Sequence, residues 1–157
     1  MKMYHVDAFT DRLFAGNPAA VCLMDRFPTD AVMQNIASEN RLSETAYLVP
    51  DGEDRYSLRW FTPGGEIDLC GHATLASGFV VLNYCHHLSS TIHFTTKSGE
   101  LTVSAVDGHY QMSFPSYELK EVPVSDAMTV AFGVKPVAAY LDRDLLCVLP
   151  TADAVRN

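Results

Sequence analysis

The segment from Gly71 to Tyr84 constrains the fold most strongly, because it carries no charged residue over 14 positions. Its apolar side chains point to all sides of a helical wheel, and a helix of that kind is buried on every side. It is shorter than the roughly 20 residues that a membrane-spanning helix needs. Other parts of the chain must therefore enclose it. We expect an α+β domain in which a mixed, curved sheet or barrel wraps around a central buried helix.

Segments with the composition of β-strands stand on both sides of this helix. Aromatic and β-branched residues between turn residues predict strands at 4–9, 19–24, 45–49, 56–61, 91–96, 101–106 and 110–114. Pro28-Thr29-Asp30 begins an amphipathic helix that reaches about Asn40. Residues 62–65 (Thr-Pro-Gly-Gly) predict a loop. The remaining residues predict a short helix from Ser125 to Phe132, strands at 137–141 and 145–149, and the beginning of a helix at 150–153.

Composition and charge exclude several classes of protein. The chain has 157 residues, of which 48% are apolar and 19% charged, which fits a folded domain and not a disordered segment. Its 11 basic and 19 acidic residues give a net charge of -8, and no basic cluster offers a surface for nucleic acid. No apolar run is long enough to span a membrane. Asp7 comes too early for a signal peptide, so we expect a cytoplasmic protein.

The four cysteines are expected to be reduced in that compartment. They are far apart in the sequence, and none belongs to a CxxC pair: Cys22, Cys70, Cys85 and Cys147. The adjacent residues Cys85-His86-His87 lack a second ligand cluster at zinc spacing. We interpret them as a loop or a helix end and predict no metal site.

Glu44 is the first candidate for chemistry. It stands at the start of an apolar strand, directly after Ser43. Partial burial would let one carboxyl group both take up and return a proton near neutral pH. The alternative is a solvated surface charge, which is the more common state of a glutamate. The residues alone leave both interpretations open.

The start of the central helix is the second candidate. The free N–H groups of Gly71 to Ala73 and the positive end of the helix dipole suit the carboxylate of a small substrate. The dipole disfavours the charged form of His72, and a neutral imidazole can donate or accept a hydrogen bond there. Cys70 could become a thiolate for the same electrostatic reason. The alternative makes Cys70 a core residue and His72 a capping group.

Four strings in the first half of the chain resemble the PhzF family of phenazine biosynthesis proteins. They occupy residues 6–10 with 16–21, residues 43–46, residues 59–63 and residues 66–76, in that family's order and spacing. The second contains Ser43-Glu44-Thr45-Ala46, and the fourth contains Gly71-His72-Ala73-Thr74. Residues 94–101 are similar to the strands that follow in the family.

The resemblance implies a diaminopimelate epimerase-like fold, in which two similar domains each wrap a sheet around a central helix and the active site lies between them. It implies a cofactor-free isomerase that moves a proton between two carbons of a small unsaturated amino or hydroxy acid. Glu44 matches the family's proton-transfer residue, and His72 matches a residue that lines the site.

Four further positions belong to the predicted site. We predict that Asn17 faces the same cleft, because an amide that precedes a buried strand can orient a substrate. The N–H groups of Gly71 and Ala73 would hold the substrate carboxylate. In the related amino-acid epimerases the position of Cys70 carries a catalytic thiol, so Cys70 is both a predicted substrate contact and, in a second mechanism, the base.

Proteins of the PhzF family are close to twice as long as this chain. Their second domain contributes an Asp-Pro-x-Thr-Gly-Ser-type loop, and no such string occurs between residues 100 and 157. We therefore expect an N-terminal domain at 1–144 and the start of a crossover at 145–157. A second chain would complete the site, either in a homodimer or as a separately encoded chain. The alternative is a catalytically inactive remnant or an interaction module of the same fold.

Overall fold

In the computed structural model, which describes residues 1–12, 14–85 and 89–156, a mixed sheet surrounds one helix between Met1 and Phe114. This part of the chain is unit 1, and Pro115–Asn157 form a separate unit 2. The strands of unit 1 are β1 Lys2–Ala8, β2 Asn17–Leu23, β3 Glu44–Pro50, β4 Arg55–Thr62, β5 Gly65–Ile67, β6 Thr91–Thr96, β7 Gly99–Val106 and β8 His109–Ser113. Its helices are α1 Asp30–Asn40 and α2 Gly71–Tyr84.

The sheet of unit 1 has the strand order β1-β2-β3-β4-β6-β7-β8, and β5 pairs with β4 alone. β2 and β3 are parallel, as are β4 and β6, and the other pairs are antiparallel. The connections that parallel pairs require contain α1 between β2 and β3, and α2 between β4 and β6. The predicted mixed α+β architecture is therefore confirmed.

Helix α2 lies inside the curve of this sheet, with the bounds that its charge-free sequence predicts. It contacts β1, β2, β3, β6, β7 and β8, and its buried positions cover most of its circumference, whereas one stripe with Gly71, Leu75 and Phe79 is half-buried. Gly78 lies so close to β7 that a Cβ atom built there would stand 2.4 Å from Cγ1 of Val103. Glycine is therefore required at this contact. Cys85 ends the helix, whereas His86 and His87 lie outside the described residues.

Helix α1 covers the outer face of the sheet. Alternation along β2 and β3 places Val21 and Ala46 in the core around α2, and Cys22 and Tyr47 in a second core under α1. Tyr47 donates a buried hydrogen bond of 2.6 Å to the carbonyl oxygen of Met33. The two cores together fix β3 between two helices.

Unit 2 contains β9 Lys120–Val122, α3 Asp126–Phe132, β10 Ala138–Leu141, β11 Leu145–Val148 and α4 Ala152–Arg156, with an antiparallel sheet in the order β11-β10-β9. Ser125 caps α3 by accepting a hydrogen bond from the N–H of Met128, and Gly133 ends it at a φ of 66°. The predicted bounds of α3 are confirmed. The expected domain boundary at residue 144 stays a prediction.

Two short strands were not predicted. Within the predicted loop at 62–65, Pro63 and Gly64 form a tight turn, and the chain returns along β4 as β5. β9 contains Lys120 and Glu121 and acquires its strand structure by pairing with β10. No helix among the described residues is long and apolar enough to cross a membrane.

Candidate active site

The predicted site residues come together where two strands and the central helix begin. Asn17 begins β2, Glu44 begins β3, and Gly71 begins α2. Parallel pairing aligns Glu44 with Ala19, which is two residues beyond Asn17. The side chains of Asn17 and Glu44 therefore lie at the same end of the sheet. The N-terminus of α2 points toward that same end. Sequence positions that are almost 30 residues apart thus converge because of the topology.

Glu44 and His72 form the closest polar contact of this cluster. Oε2 of Glu44 lies 3.1 Å from Nε2 of His72, and the two side chains are 15% and 10% exposed. The Oε2 atom is buried and accepts no hydrogen bond from the described residues, because the approach to His72 lacks hydrogen-bond geometry. The structure therefore places Glu44 at a sheltered position and not on the solvated surface.

Ser43 joins this pair to Asn17, a role that the sequence analysis did not assign to it. Its Oγ atom lies 3.4 Å from Nε2 of His72, 3.4 Å from Oδ1 of Asn17 and 3.4 Å from the carbonyl oxygen of Pro18. The only sequence signal for this residue is its place beside Glu44. Its contacts depend on the pairing of β2 with β3 and on α2, which a local pattern does not contain.

Cys70 is in contact with the other nitrogen of the imidazole ring. Its Sγ atom is 3.5 Å from Nδ1 of His72. Burial raises the pKa of the Cys70 thiol to about 11, although the nearby N–H groups of Ala73 and His72 act in the opposite direction. Desolvation thus outweighs the helix terminus. A resting thiolate at Cys70, one of the sequence-based expectations, is not favoured by this environment.

The first turn of α2 has no side-chain capping hydrogen bond, although the N–H groups of His72 and Ala73 lie near the sulfur of Cys70. Cys70 is the N-cap residue and makes no capping hydrogen bond. Ala73 is fully buried, whereas Gly71 is half-buried. Of the predicted carboxylate contacts, Gly71 is thus the more accessible to a small anion, and Ala73 lies behind it.

The possible metal ligands of this cluster are Glu44, Cys70 and His72, whose donor atoms lie within 4.8 Å of one another. However, Cys70 is in contact with Nδ1 of His72, and Glu44 with Nε2. These two nitrogens point away from each other, and a metal ion binds one of them. Each of these two groups is thus in contact with a different nitrogen of the imidazole, and the three side chains form one polar network.

A second charged network holds the segment that leads into α2. Glu66 on β5 accepts hydrogen bonds of 2.7 and 2.8 Å from Arg59 on β4, and it also pairs with Lys97. These hydrogen bonds hold the pKa of Glu66 at about 2. Ser98 donates a hydrogen bond of 2.8 Å to the carbonyl oxygen of Asp68. Both ends of residues 66–68 are thereby fixed before Cys70.

A cavity of about 750 Å³ lies elsewhere in unit 1, between the edge strands β1 and β8. Its lining includes Tyr4, Phe79 and Tyr110, but not Glu44 or His72. The size of a cavity therefore does not identify the candidate active site. The polar cluster at the start of α2 is the better candidate, because it combines a buried carboxylate with donors for a substrate.

Comparison with known proteins identifies the family of this chain. The family model described as phenazine biosynthesis-like protein (PhzC-PhzF) matches residues 6–140. A protein named as an uncharacterized isomerase from Pseudomonas aeruginosa is 42% identical over 149 residues, which cover 95% of this chain and 57% of that protein.

Solved structures show the same fold. The crystal structure of a PhzF family protein from Enterococcus faecalis has a TM-score of 0.90 at 48% identity, and the match covers 98% of this chain and 58% of that one. A predicted epimerase from Pseudomonas aeruginosa shares the fold with a TM-score of 0.70 at 21% identity. The chain spans little more than half the length of these relatives. From its sequence and its fold, the chain belongs to the phenazine biosynthesis-like PhzF family.

Proposed function

We propose that the chain supplies the proton-transferring residue of a cofactor-independent isomerase, and that this residue is Glu44. The observation that carries the proposal is Oε2 of Glu44, which is buried, lies 3.1 Å from Nε2 of His72 and accepts no hydrogen bond from the described residues. A sheltered carboxylate oxygen with an unused lone pair is suited to accept a proton from a bound substrate. The relative named as an isomerase supports the same class of reaction.

In the proposed reaction, the Glu44 carboxylate removes a proton from one carbon of a small unsaturated amino or hydroxy acid. The electron pair of the broken C–H bond enters the conjugated system of the substrate. Glu44 then returns the proton to a different carbon, and the double bond shifts. Atoms and electrons balance without an oxidant or a reductant. One carboxyl group is enough if both carbons come within its hydrogen-bond reach.

We assign the carboxylate of the substrate to the start of α2. The positive end of the helix dipole and the N–H group of the half-buried residue Gly71 favour an anion there. The same groups stabilise the negative charge that develops when the proton leaves. Asn17, whose Oδ1 is 3.4 Å from Oγ of Ser43, lies at the exposed rim and would orient the polar substituent of the substrate.

The proposal is tested by incubating the chain in D₂O with a panel of small unsaturated amino and hydroxy acids and following the double bond by proton NMR. Glu44→Gln keeps the shape of the side chain and removes its basicity, so we expect isomerisation to slow by at least about 100-fold. Glu39→Gln, on the exposed face of α1, is the matched control and should keep the wild-type rate. Equal rates for Glu44→Gln and wild type would assign the proton transfer to another residue.

We further propose that a second chain completes the site, as a homodimer or as a separate chain that supplies the second domain. Exposed apolar side chains in unit 2 support this idea, including Val130 at 81% and Val155 at 70% exposure. Sedimentation at micromolar concentration tests the homodimer. A dimer that dissociates when Val130 is changed to Lys is expected, and a wild-type monomer eliminates the homodimer.

The same exposed residues also favour the second candidate function, an interaction module of this fold without turnover. The two candidates differ in one measurement. An isomerase converts at least one acid of the panel when its second chain is present, whereas a module converts none in any oligomeric state.

A further inference from the structure

We propose that Ser43 and Cys70 are positioning residues that hold His72 as the neutral tautomer with its proton on Nε2. The imidazole lies between them, with Cys70 at Nδ1 and Ser43 at Nε2. The catalytic meaning of this arrangement rests on the proposed function of Glu44. The tautomer itself is a property of the folded chain and is measurable without a substrate.

The hydroxyl group of Ser43 has one proton, and its neighbours are two oxygen atoms and the Nε2 atom of His72. Its Oγ lies 3.4 Å from the carbonyl oxygen of Pro18 and 3.4 Å from Oδ1 of Asn17. The Pro18 carbonyl can only accept a hydrogen bond, so it draws the hydroxyl proton toward itself. Oγ then faces Nε2 of His72 with a lone pair. The hydrogen between these two atoms must come from the imidazole.

Glu44 favours the same position of the proton. Its Oε2 lies 3.1 Å from Nε2, and an ionised carboxylate is an acceptor only. An unprotonated Nε2 would direct its lone pair at Oγ of Ser43, with the Oε2 atom of Glu44 also 3.1 Å away. In a buried environment this repulsion is weakly screened. A proton on Nε2 removes the repulsion.

Cys70 favours the unprotonated state of Nδ1. Burial keeps the Cys70 sulfur protonated near neutral pH, since the pKa of the thiol is about 11. The N–H groups of Ala73 and His72 present positive charge to the sulfur, so the S–H hydrogen is oriented away from them. Nδ1 of His72, 3.5 Å from Sγ, is an acceptor in reach. The S–H group therefore donates to Nδ1.

This tautomer gives His72 a specific role beside Glu44. Nε2 already carries a hydrogen and has no lone pair to accept a second one, while Nδ1 lies on the far side of the ring. A proton that Glu44 takes from a substrate therefore does not pass to His72. It stays on the carboxyl group until it returns to the substrate, which suits a reaction that moves one proton within one molecule.

Long-range proton–nitrogen correlation NMR on the ¹⁵N-labelled full chain near neutral pH tests the inference, because it distinguishes Nδ1 from Nε2 protonation in each histidine. The signals of His72 are identified by their loss in His72→Gln. We expect Nε2–H in the wild type. Removing one hydrogen-bond partner, in Cys70→Ala or Ser43→Ala, should lower the ratio of Nε2–H to Nδ1–H about fivefold, the equivalent of a hydrogen bond of about 1 kcal/mol.

Matched variants separate positioning from a general effect on the fold. Cys70→Ser keeps a donor toward Nδ1 and should retain the wild-type ratio. Cys22→Ala removes a buried thiol under α1, and Ser104→Ala removes a hydroxyl on β7, so neither should change the ratio. A wild-type proton on Nδ1, or an unchanged ratio in both alanine variants, overturns the inference. If an alanine variant does not fold, the tautomer measured in the wild type and the ratio measured in Cys70→Ser test the inference. None of these outcomes alters the test of Glu44 by activity.

Discussion

Sγ of Cys70 lies 3.5 Å from Nδ1 of His72, and burial raises the pKa of that thiol to about 11. The sulfur is thus placed to donate a hydrogen bond rather than to act as a nucleophile. Among the described residues of the site, the Oε2 atom of Glu44 is the buried side-chain oxygen that accepts no hydrogen bond.

The low reactivity of Cys70 is the first prediction. A pKa near 11, against an ordinary value of 9.0, lowers the thiolate fraction near neutral pH by about 100-fold, and burial adds a steric barrier. Iodoacetamide should therefore modify the half-buried Cys147 well before Cys70. Peptide mass spectrometry of timed samples measures both rates, and denaturation in urea should make them similar. Faster labelling of Cys70 in the native chain would show that its sulfur is a thiolate.

Glu66 should stabilise the fold in a pH-dependent way. Its pKa falls from 4.5 to about 2 because Arg59 and Lys97 donate hydrogen bonds to its carboxylate. A depressed pKa in the folded state adds stability that is complete above pH 4.5 and is lost as the pH falls toward 2. Allowing for solvent screening, Glu66→Gln should cost about 2 kcal/mol near neutral pH.

Urea unfolding at several pH values measures this difference. The curves of wild type and Glu66→Gln should converge as the pH is lowered through that range. Glu53→Gln in the exposed β3–β4 turn serves as the control and should show a small, nearly constant difference. A gap between wild type and Glu66→Gln that persists at the lowest pH would contradict the ionic origin of the effect.

Gly78 should resist substitution although it lies in a helix. Alanine is favoured over glycine in helices by roughly 1 kcal/mol, but a Cβ atom here would stand 2.4 Å from Cγ1 of Val103. We expect Gly78→Ala to destabilise the chain by about 2 kcal/mol, because overpacking a filled core costs more than the helix preference returns.

The double variant Gly78→Ala/Val103→Ala isolates this contact. It should be more stable than the sum of the two single effects, since alanine at 103 makes room for the new methyl group. Thermal unfolding of the four proteins gives the coupling energy. Additive effects would mean that the close approach of α2 to β7 is not what requires glycine.

The sequence was informative where one local pattern determines the structure. The charge-free residues 71–84 predict a helix with the observed bounds, because apolar side chains around the whole helical wheel are typical of a largely buried helix. Ser125 and Gly133 mark the ends of α3 by their capping chemistry. These signals act within a few residues and need no partner.

The sequence was less informative where a strand or a contact depends on a residue that is distant in the sequence. β5 has three residues, and the ion pair between Glu66 and Arg59 on β4 holds it against that strand. β9 is polar and depends on β10. Ser43 likewise reaches His72 only because β3 and α2 start at the same end of the sheet. Family resemblance pointed to Glu44 and His72. The hydroxyl group of Ser43, which connects His72 to Asn17, became visible only in the structure.

The central claim, that Glu44 carries one proton from carbon to carbon, is tested most directly with a deuterium label. An unsaturated acid that the chain converts is deuterated at the carbon that loses its hydrogen, and the early product formed in ordinary water is analysed by NMR. We predict that part of the deuterium appears at the new carbon, and that Glu44→Gln forms product at least about 100-fold more slowly while its unfolding curve matches that of the wild type. Formation of the labelled product by Glu44→Gln at the wild-type rate would contradict the account.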